Sequence, residues 1–149
     1  MVCNAAYIHS RVRFEEGAPE RDRPLAGQSP YLVNAGLFYQ HDDKGISASL
    51  LYNRIGKRIE SVGVPMQDQN EDIPDIYEMP RNSLDLTFSK KIGKAVEIKA
   101  GIQDMLNSKI EYKQFVKLTD QNGGKREREQ LVRSYRPGVD INVGVSLKF

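Results

Sequence analysis

From Val139 to Phe149 the chain alternates without a fault. Val139, Ile141, Val143, Val145, Leu147 and Phe149 are apolar, and Asp140, Asn142, Gly144, Ser146 and Lys148 between them are small or polar. A period of two belongs to an extended strand with one greasy and one wet face, because successive side chains leave a strand on opposite sides. The run is 11 residues long. Soluble strands centre on about 5 or 6 residues, whereas a tilted strand that crosses a bilayer needs about 9 to 11.

The pattern recurs upstream. Leu84, Leu86 and Phe88 oppose Ser83, Asp85, Thr87 and Ser89, while Val96, Ile98, Ala100 and Ile102 oppose Glu97, Lys99, Gly101 and Gln103. Ile46, Ala48, Leu50 and Tyr52 oppose Ser47, Ser49 and Asn53, with Leu51 out of step. Tyr31, Val33, Ala35, Leu37 and Tyr39 make one face of an earlier run whose other face is blurred by Leu32 and Phe38. Near the start, Ala6, Ile8, Val12 and Phe14 are expected to face away from His9, Arg11 and Arg13. The spacing predicts an all-β fold, an antiparallel up-and-down meander of about six long strands near 2–14, 30–41, 45–60, 80–91, 95–118 and 137–149. No stretch has the 3.6-residue period of an amphipathic helix.

The connections add a direction. Asp42-Asp43-Lys44-Gly45 and Gly93-Lys94 are tight reversals, whereas 15–29, 61–79 and 119–136 are long and polar. In a meander, alternate connections lie at opposite ends of the sheet, so one end is trimmed and the other is expected to carry three large loops. Two architectures have such strands: a soluble sandwich or barrel whose apolar face is its own core, and a transmembrane barrel whose apolar face meets lipid. The loop asymmetry, the strand length and the Gly, Ser, Asn, Gln, Asp and Lys of the second face, suited to a wet lumen, favour the membrane.

Composition removes other classes. With 39% hydrophobic residues the 149-residue chain is too apolar to stay disordered, and no uncharged run approaches the roughly 20 residues of a transmembrane helix. The net charge of +2, from 22 Lys and Arg against 20 Asp and Glu, gives no lean towards nucleic acid. Cys3 is the single cysteine, which excludes an internal disulfide and a multi-cysteine zinc site. Met1-Val2-Cys3-Asn4 opens no basic and apolar leader, so the chain is either cytoplasmic or lacks its true beginning.

Four segments resemble the C-terminal end of TonB-dependent outer-membrane receptors of the kind common in Bacteroidetes: Arg23-Pro24-Leu25-Ala26-Gly27-Gln28-Ser29-Pro30-Tyr31, Tyr77-Glu78-Met79-Pro80-Arg81-Asn82, Asp104-Met105-Leu106-Asn107-Ser108-Lys109, and Ser134-Tyr135-Arg136-Pro137-Gly138 through Phe149. The resemblance spans essentially the whole chain. It implies that residues 1–149 are the C-terminal part of a 22-stranded transmembrane β-barrel, with the earlier strands and the plug domain absent. It places Asp104–Lys109 in the penultimate strand after a short periplasmic turn. It also implies an outer-membrane location, a role in energy-coupled uptake of a nutrient of unknown identity, and TonB-type coupling through the missing plug. Outer-membrane lipid and the barrel-assembly machinery are the implied partners, and Val145, Leu147 and Phe149 form the C-terminal assembly signal. With about eight strands needed to close even a small barrel, six leave two open edges.

Other candidates weigh less. Asp68-Gln69-Asn70-Glu71-Asp72 mimics the start of a calcium loop, yet Ile73 replaces its Gly and Met79 its closing Glu, so no metal is expected. The 61–79 loop, with Asp68, Glu71, Asp72, Asp75 and Glu78, reads as a solvated acidic loop. Two glutamates interrupt Lys125-Arg126-Glu127-Arg128-Glu129, which reads as a mixed-charge extracellular loop and not as a nucleic-acid site. His9 and His41 have no nucleophile or acid at a catalytic spacing, and both are expected in solvent or at a membrane girdle. The chain is therefore expected to be no enzyme and to use no cofactor. The alternative function is a soluble β-rich binding or structural module.

Overall fold

Ten strands and no helix occupy the residues that the computed structural model describes, 1–15, 22–64, 73–93, 95–119 and 125–147. They are β1 (Val2–Tyr7), β2 (Tyr31–His41), β3 (Ile46–Ile55), β4 (Arg58–Ser61), β5 (Ile76–Glu78), β6 (Arg81–Ile92), β7 (Val96–Gln103), β8 (Ile110–Thr119), β9 (Lys125–Tyr135) and β10 (Asp140–Leu147). All pairings between strands are antiparallel. Six strands form one sheet in the order β1-β2-β3-β6-β7-β10, and four form a second in the order β4-β5-β8-β9.

The ten strands lie on six lines. Gly56 and Lys57 alone separate β3 from β4, and Met79 and Pro80 alone separate β5 from β6. The register does not change across this gap, since Ile55 pairs with Arg81 and Arg58 with Glu78. The ladder lapses there because Pro80 has no N–H to donate. The Met79 N–H donates instead to the Glu111 carbonyl at 2.9 Å. In the same way β7 continues through Asp104–Lys109 into β8, and β9 through Arg136–Val139 into β10. The meander expected from the periodicity is present, with four of its six lines broken once.

The break in the β7–β8 line is a bulge. Leu86 pairs with Ile102 and Glu78 with Tyr112, so this line spends ten residues where its neighbour spends eight. Asp104 and Asn107 absorb the surplus with φ of 50° and 43°, the left-handed region that Asp and Asn enter at least cost among residues with side chains. The Asn107 N–H closes a turn on the Asp104 carbonyl at 2.8 Å, and the Asp104 N–H donates to the Asp85 carboxylate at 2.8 Å. The turn between β2 and β3 likewise needs its glycine. Gly45 has φ 59°, and a Cβ there would stand 2.9 Å from that of Lys91.

Three expectations need correction. The first strand is shorter than 2–14 and has the opposite parity: Ala6 pairs with Leu32, while Cys3, Ala5 and Tyr7 pair with Ala35, Val33 and Tyr31 of the apolar face. A weak alternation gave the wrong phase because Ala carries little hydrophobic signal. The stretches 61–79 and 119–136 are not loops throughout, since Ile76–Glu78 is a strand and β9 takes up Lys125–Tyr135. Three residues are too few to show a period, and β9 is charged on both faces over its first half, so hydrophobic periodicity does not reveal either strand. Lastly, Asp104–Lys109 is the bulge itself and not a part of a regular strand.

The described residues enclose almost no interior. Among the described residues the buried apolar side chains are Ile59, Ile110 and Tyr112, and Glu78 is the buried charged one; all four lie in the four-stranded sheet. The accessible surface is 11121 Å², against roughly 7,700 Å² for a compact monomer of this mass. The six-stranded sheet is a single open layer with β1 and β10 at its edges, not closed into a barrel.

Candidate functional site

Residues paired across an antiparallel ladder share a face, so the registers decide which side chains keep company. Ile141, Val143, Val145 and Leu147 pair with Ile102, Ala100, Ile98 and Val96. Ile102, Ala100 and Val96 pair onward with Leu86, Phe88 and Ile92, and Leu84, Leu86 and Phe88 with Tyr52, Leu50 and Ala48. Tyr52, Leu50 and Ala48 then pair with Ala35, Leu37 and Tyr39. The alternations of five separate segments thus meet on one apolar face across the whole sheet, interrupted by Lys90 opposite Ile46. Among the described residues nothing covers it: Ile141 and Val143 are 71% and 72% exposed, Val145 and Leu147 62% and 59%.

Polar groups rim this face above. Arg54, on the same side as Tyr52, donates to the Asn82 side-chain carbonyl at 3.0 Å, and the Tyr52 hydroxyl donates to the same oxygen at 2.9 Å. Tyr7 and Tyr31 pair directly at that end. At the other end His41 finishes β2, its Nδ1 accepting from the Lys44 N–H at 3.4 Å across the tight turn. His9 lies exposed beyond β1, outside the named strands.

The opposite face is laced by small polar groups. Ser47 and Ser89 hydroxyls meet at 2.7 Å, Ser49 and Thr87 at 2.5 Å, and the Asn53 amide donates to the Asn34 side-chain carbonyl. The out-of-step apolar residues gather among them. Gly36 pairs with Leu51, and a Cβ on Gly36 would touch both the Phe38 ring at 2.9 Å and Leu51 at 3.0 Å. This island borders an open hollow of about 380 Å³ with Asn4, Asn34, Asn53 and Asp85 on its wall. The breaks in alternation at Phe38 and Leu51 were the available sign of it, but sequence could not bring them together.

The four-stranded sheet is organised by charge. Glu78, its carboxylate buried, accepts from Arg58 Nε at 2.9 Å and from a terminal guanidinium nitrogen at 2.6 Å. Glu78 pairs with Tyr112, and Tyr112 with Arg133, whose guanidinium lies 4.3 Å from the Tyr112 ring centre. Tyr112 also stacks on Tyr135 at 6.5 Å. Burial chiefly, and the Tyr135 hydroxyl next, hold the Tyr112 phenol above the usual tyrosine range. On the other face Lys57 sits 4.1 and 3.8 Å from the ring centres of Tyr77 and Phe115. Lys113 bridges Glu129 at 2.6 Å and Glu111 at 3.3 Å, and its ammonium is raised by Glu129 first and Glu111 second. Glu111 in turn is held below the ordinary glutamate range, by Lys109 first and by Lys113.

Of the assembly-signal residues, Val145 and Leu147 share the exposed apolar face of edge strand β10, and Phe149 lies outside the described residues. So does Asp68–Asp72, the calcium-loop mimic. Asp75 accepts from the Gly63 N–H at 2.8 Å, so two acids of the 61–79 stretch, Asp75 and Glu78, serve local structure. Among the described residues no three His, Cys, Asp or Glu side chains converge as a metal site would require. Comparison with family models, with curated proteins and with solved structures returned no match.

Proposed function

We propose that this chain forms part of the wall of a 22-stranded outer-membrane barrel, the C-terminal part of a TonB-dependent receptor that imports a nutrient by energy-coupled transport. The observation that carries it is the continuous apolar face of the six-stranded sheet, unbroken from β2 to β10 apart from Lys90 and left uncovered by the described residues. A water-soluble sheet hides such a face under a second layer, whereas a barrel wall turns it to lipid.

The slant of the sheet supports the same reading. The β2–β3 turn begins beyond the pair His41–Ile46 and the β6–β7 turn beyond Ile92–Val96, two residues further along because Ile46 pairs with Lys90. With both turns at one membrane surface, this is one residue of stagger per strand. About 3.3 Å of rise against about 4.8 Å between strands gives a tilt of about 35°, at the edge of the range for membrane barrels. The upper limit of the apolar face falls in the same direction, from Tyr31 to Tyr52 and on to Ile102. In this reading the four-stranded sheet stands above the membrane, and the small polar groups of the second face line the lumen.

The test is folding in the presence and absence of lipid. The chain should fail to fold cooperatively as a monomer in detergent-free buffer and should insert into phosphatidylcholine vesicles with β6, β7 and β10 protected from added protease. A monomer that unfolds cooperatively in plain buffer would instead establish the soluble β-rich module.

A further inference from the structure

The run Lys125–Glu129 looks like balanced charge in the sequence, but β9 sorts it. Arg126 and Arg128 pair with Leu118 and Val116, whereas Glu127 and Glu129 pair with Lys117 and Phe115 on the other face. Lower down, the register shifts: Lys113 pairs with Leu131 but Tyr112 with Arg133, so Val132 is an extra residue on β9. An extra residue reverses the alternation beyond it. Arg133, which strict alternation would put with the glutamates, therefore shares a face with Arg126 and Arg128. That face is the outer one, because Arg133 is in line with Tyr112, Glu78 and Arg58, and the unbroken register carries Arg58 onto the side of Arg54 and Tyr52. On this side β9 carries three arginines and no acid, and the nearby Glu78 is already held by Arg58.

We propose that the outer face of β9 binds the phosphorylated saccharide headgroup of an anionic glycolipid in the surrounding leaflet. This rests on the barrel-wall reading, which sets the stripe directly above the lipid-facing band. Arginine suits the ligand because its planar fork holds phosphate oxygens in pairs. Height decides the class of lipid. Arg126 and Arg133 pair with Leu118 and Tyr112 and so stand six ladder steps apart, the bulge at Val132 adding no length, which is about 20 Å along the strand and about 16 Å of height at the tilt above. The polar layer of an ordinary phospholipid leaflet is only about 5 to 8 Å deep. A headgroup that reaches all three arginines must be a tall one, built of several sugars bearing phosphates. Tyr135 and the Tyr112 ring beneath the stripe give it an aromatic footing at the boundary.

The chain inserted in phosphatidylcholine vesicles gives the test. Carried in those vesicles, lipopolysaccharide with a phosphorylated core should bind the wild-type chain in a salt-sensitive manner, and the same glycolipid stripped of phosphate should bind weakly. Arg126→Gln/Arg128→Gln/Arg133→Gln should lower the affinity about tenfold, as loss of three exposed ion pairs implies. Glu127→Gln/Glu129→Gln makes a net-charge change of similar size on the other face and should leave affinity within twofold. Arg128→Gln alone, expected to weaken binding about twofold, serves where the triple variant fails to insert. Wild-type affinity in the arginine variants, an equal and opposite shift in the glutamate variants, or phosphatidylglycerol binding as tightly as the glycolipid would each overturn the proposal while leaving the barrel wall standing. Failure of the wild type to insert in phosphatidylcholine alone would remove the barrel wall, and the proposal with it.

Discussion

The six-stranded and the four-stranded sheet are built from the same chain lines, yet they sort their side chains by different rules. The lower sheet separates apolar from polar and buries neither; the upper one pairs bases with acids, sorting them by face only along β9, and holds the buried side chains found among the described residues, Ile59, Glu78, Ile110 and Tyr112. A sheet can be held by its backbone ladder alone, but a uniform apolar face left in water costs about 25 cal/mol for every Å². In the proposed barrel wall, lipid supplies the cover that the described residues do not. The upper sheet meets water on its exposed edge strand and is kept in shape by ion pairs and ring contacts, with little need of a core.

The sharpest way to break this contrast is to exchange the environments of two neighbours. Val143 is in the middle of β10 on the apolar face, and Asn142 is one residue away on the polar face. Arg at Val143 puts a charge near the bilayer midplane at about 2 to 4 kcal/mol, while Arg at Asn142 stays wet and costs little. Val143→Arg should lower the inserted, protease-protected fraction strongly and Asn142→Arg should not. Equal insertion of the two would end the assignment of the apolar face to lipid.

Next in size is the upper sheet's buried carboxylate. Glu78→Gln leaves the Arg58 guanidinium with a neutral acceptor in a buried setting and should destabilise β4, β5 and β8 by about 1.5 to 3 kcal/mol. Hydrogen exchange should speed up at Tyr112 and Ile59 while the β7–β10 ladder stays protected. Uniform loss of protection across both sheets would mean that the two regions do not behave separately.

A smaller effect is expected at the trimmed end. Gly45→Val forces a branched residue into the left-handed region and against Lys91, which should cost about 1 to 2 kcal/mol or more and loosen the β2–β3 hairpin without touching β8 and β9. The amides of Gln40 and Ser47 would report it.

The smallest effect is a pH response confined to the upper sheet. Glu111, with its acid strength raised by Lys109 and Lys113, binds its proton less readily folded than unfolded. Its contribution is complete above the ordinary glutamate range and is lost as pH falls through the lower folded value. Exchange of the β8 amides should accelerate on acidification in that window, and Glu111→Gln should flatten the response. A response of equal size in the variant would point to another carboxylate.

The sequence by itself determined the apolar face. Val139 to Leu147, Val96 to Ile102, Leu84 to Phe88 and Ile46 to Tyr52 each alternate strictly enough to fix strand and phase, because a one-residue slip would turn a whole hydrophobic set to the wrong side. Where that signal fades, so did legibility: the alanines of β1 concealed its phase, and the charged residues of β9 read as a loop because its first half is charged on both faces. Only the tertiary structure decided what the polar strands do. The two surplus residues around Asp104 and Asn107, and the single one at Val132, are bulges set by neighbouring ladders and written in no local pattern. The Val132 bulge turns Arg133 to the side of Arg126 and Arg128, so a run that is nearly neutral in sequence becomes one basic and one acidic face. Hydrophobic period is a property of a segment, whereas the partner that reverses a phase lies elsewhere in the chain.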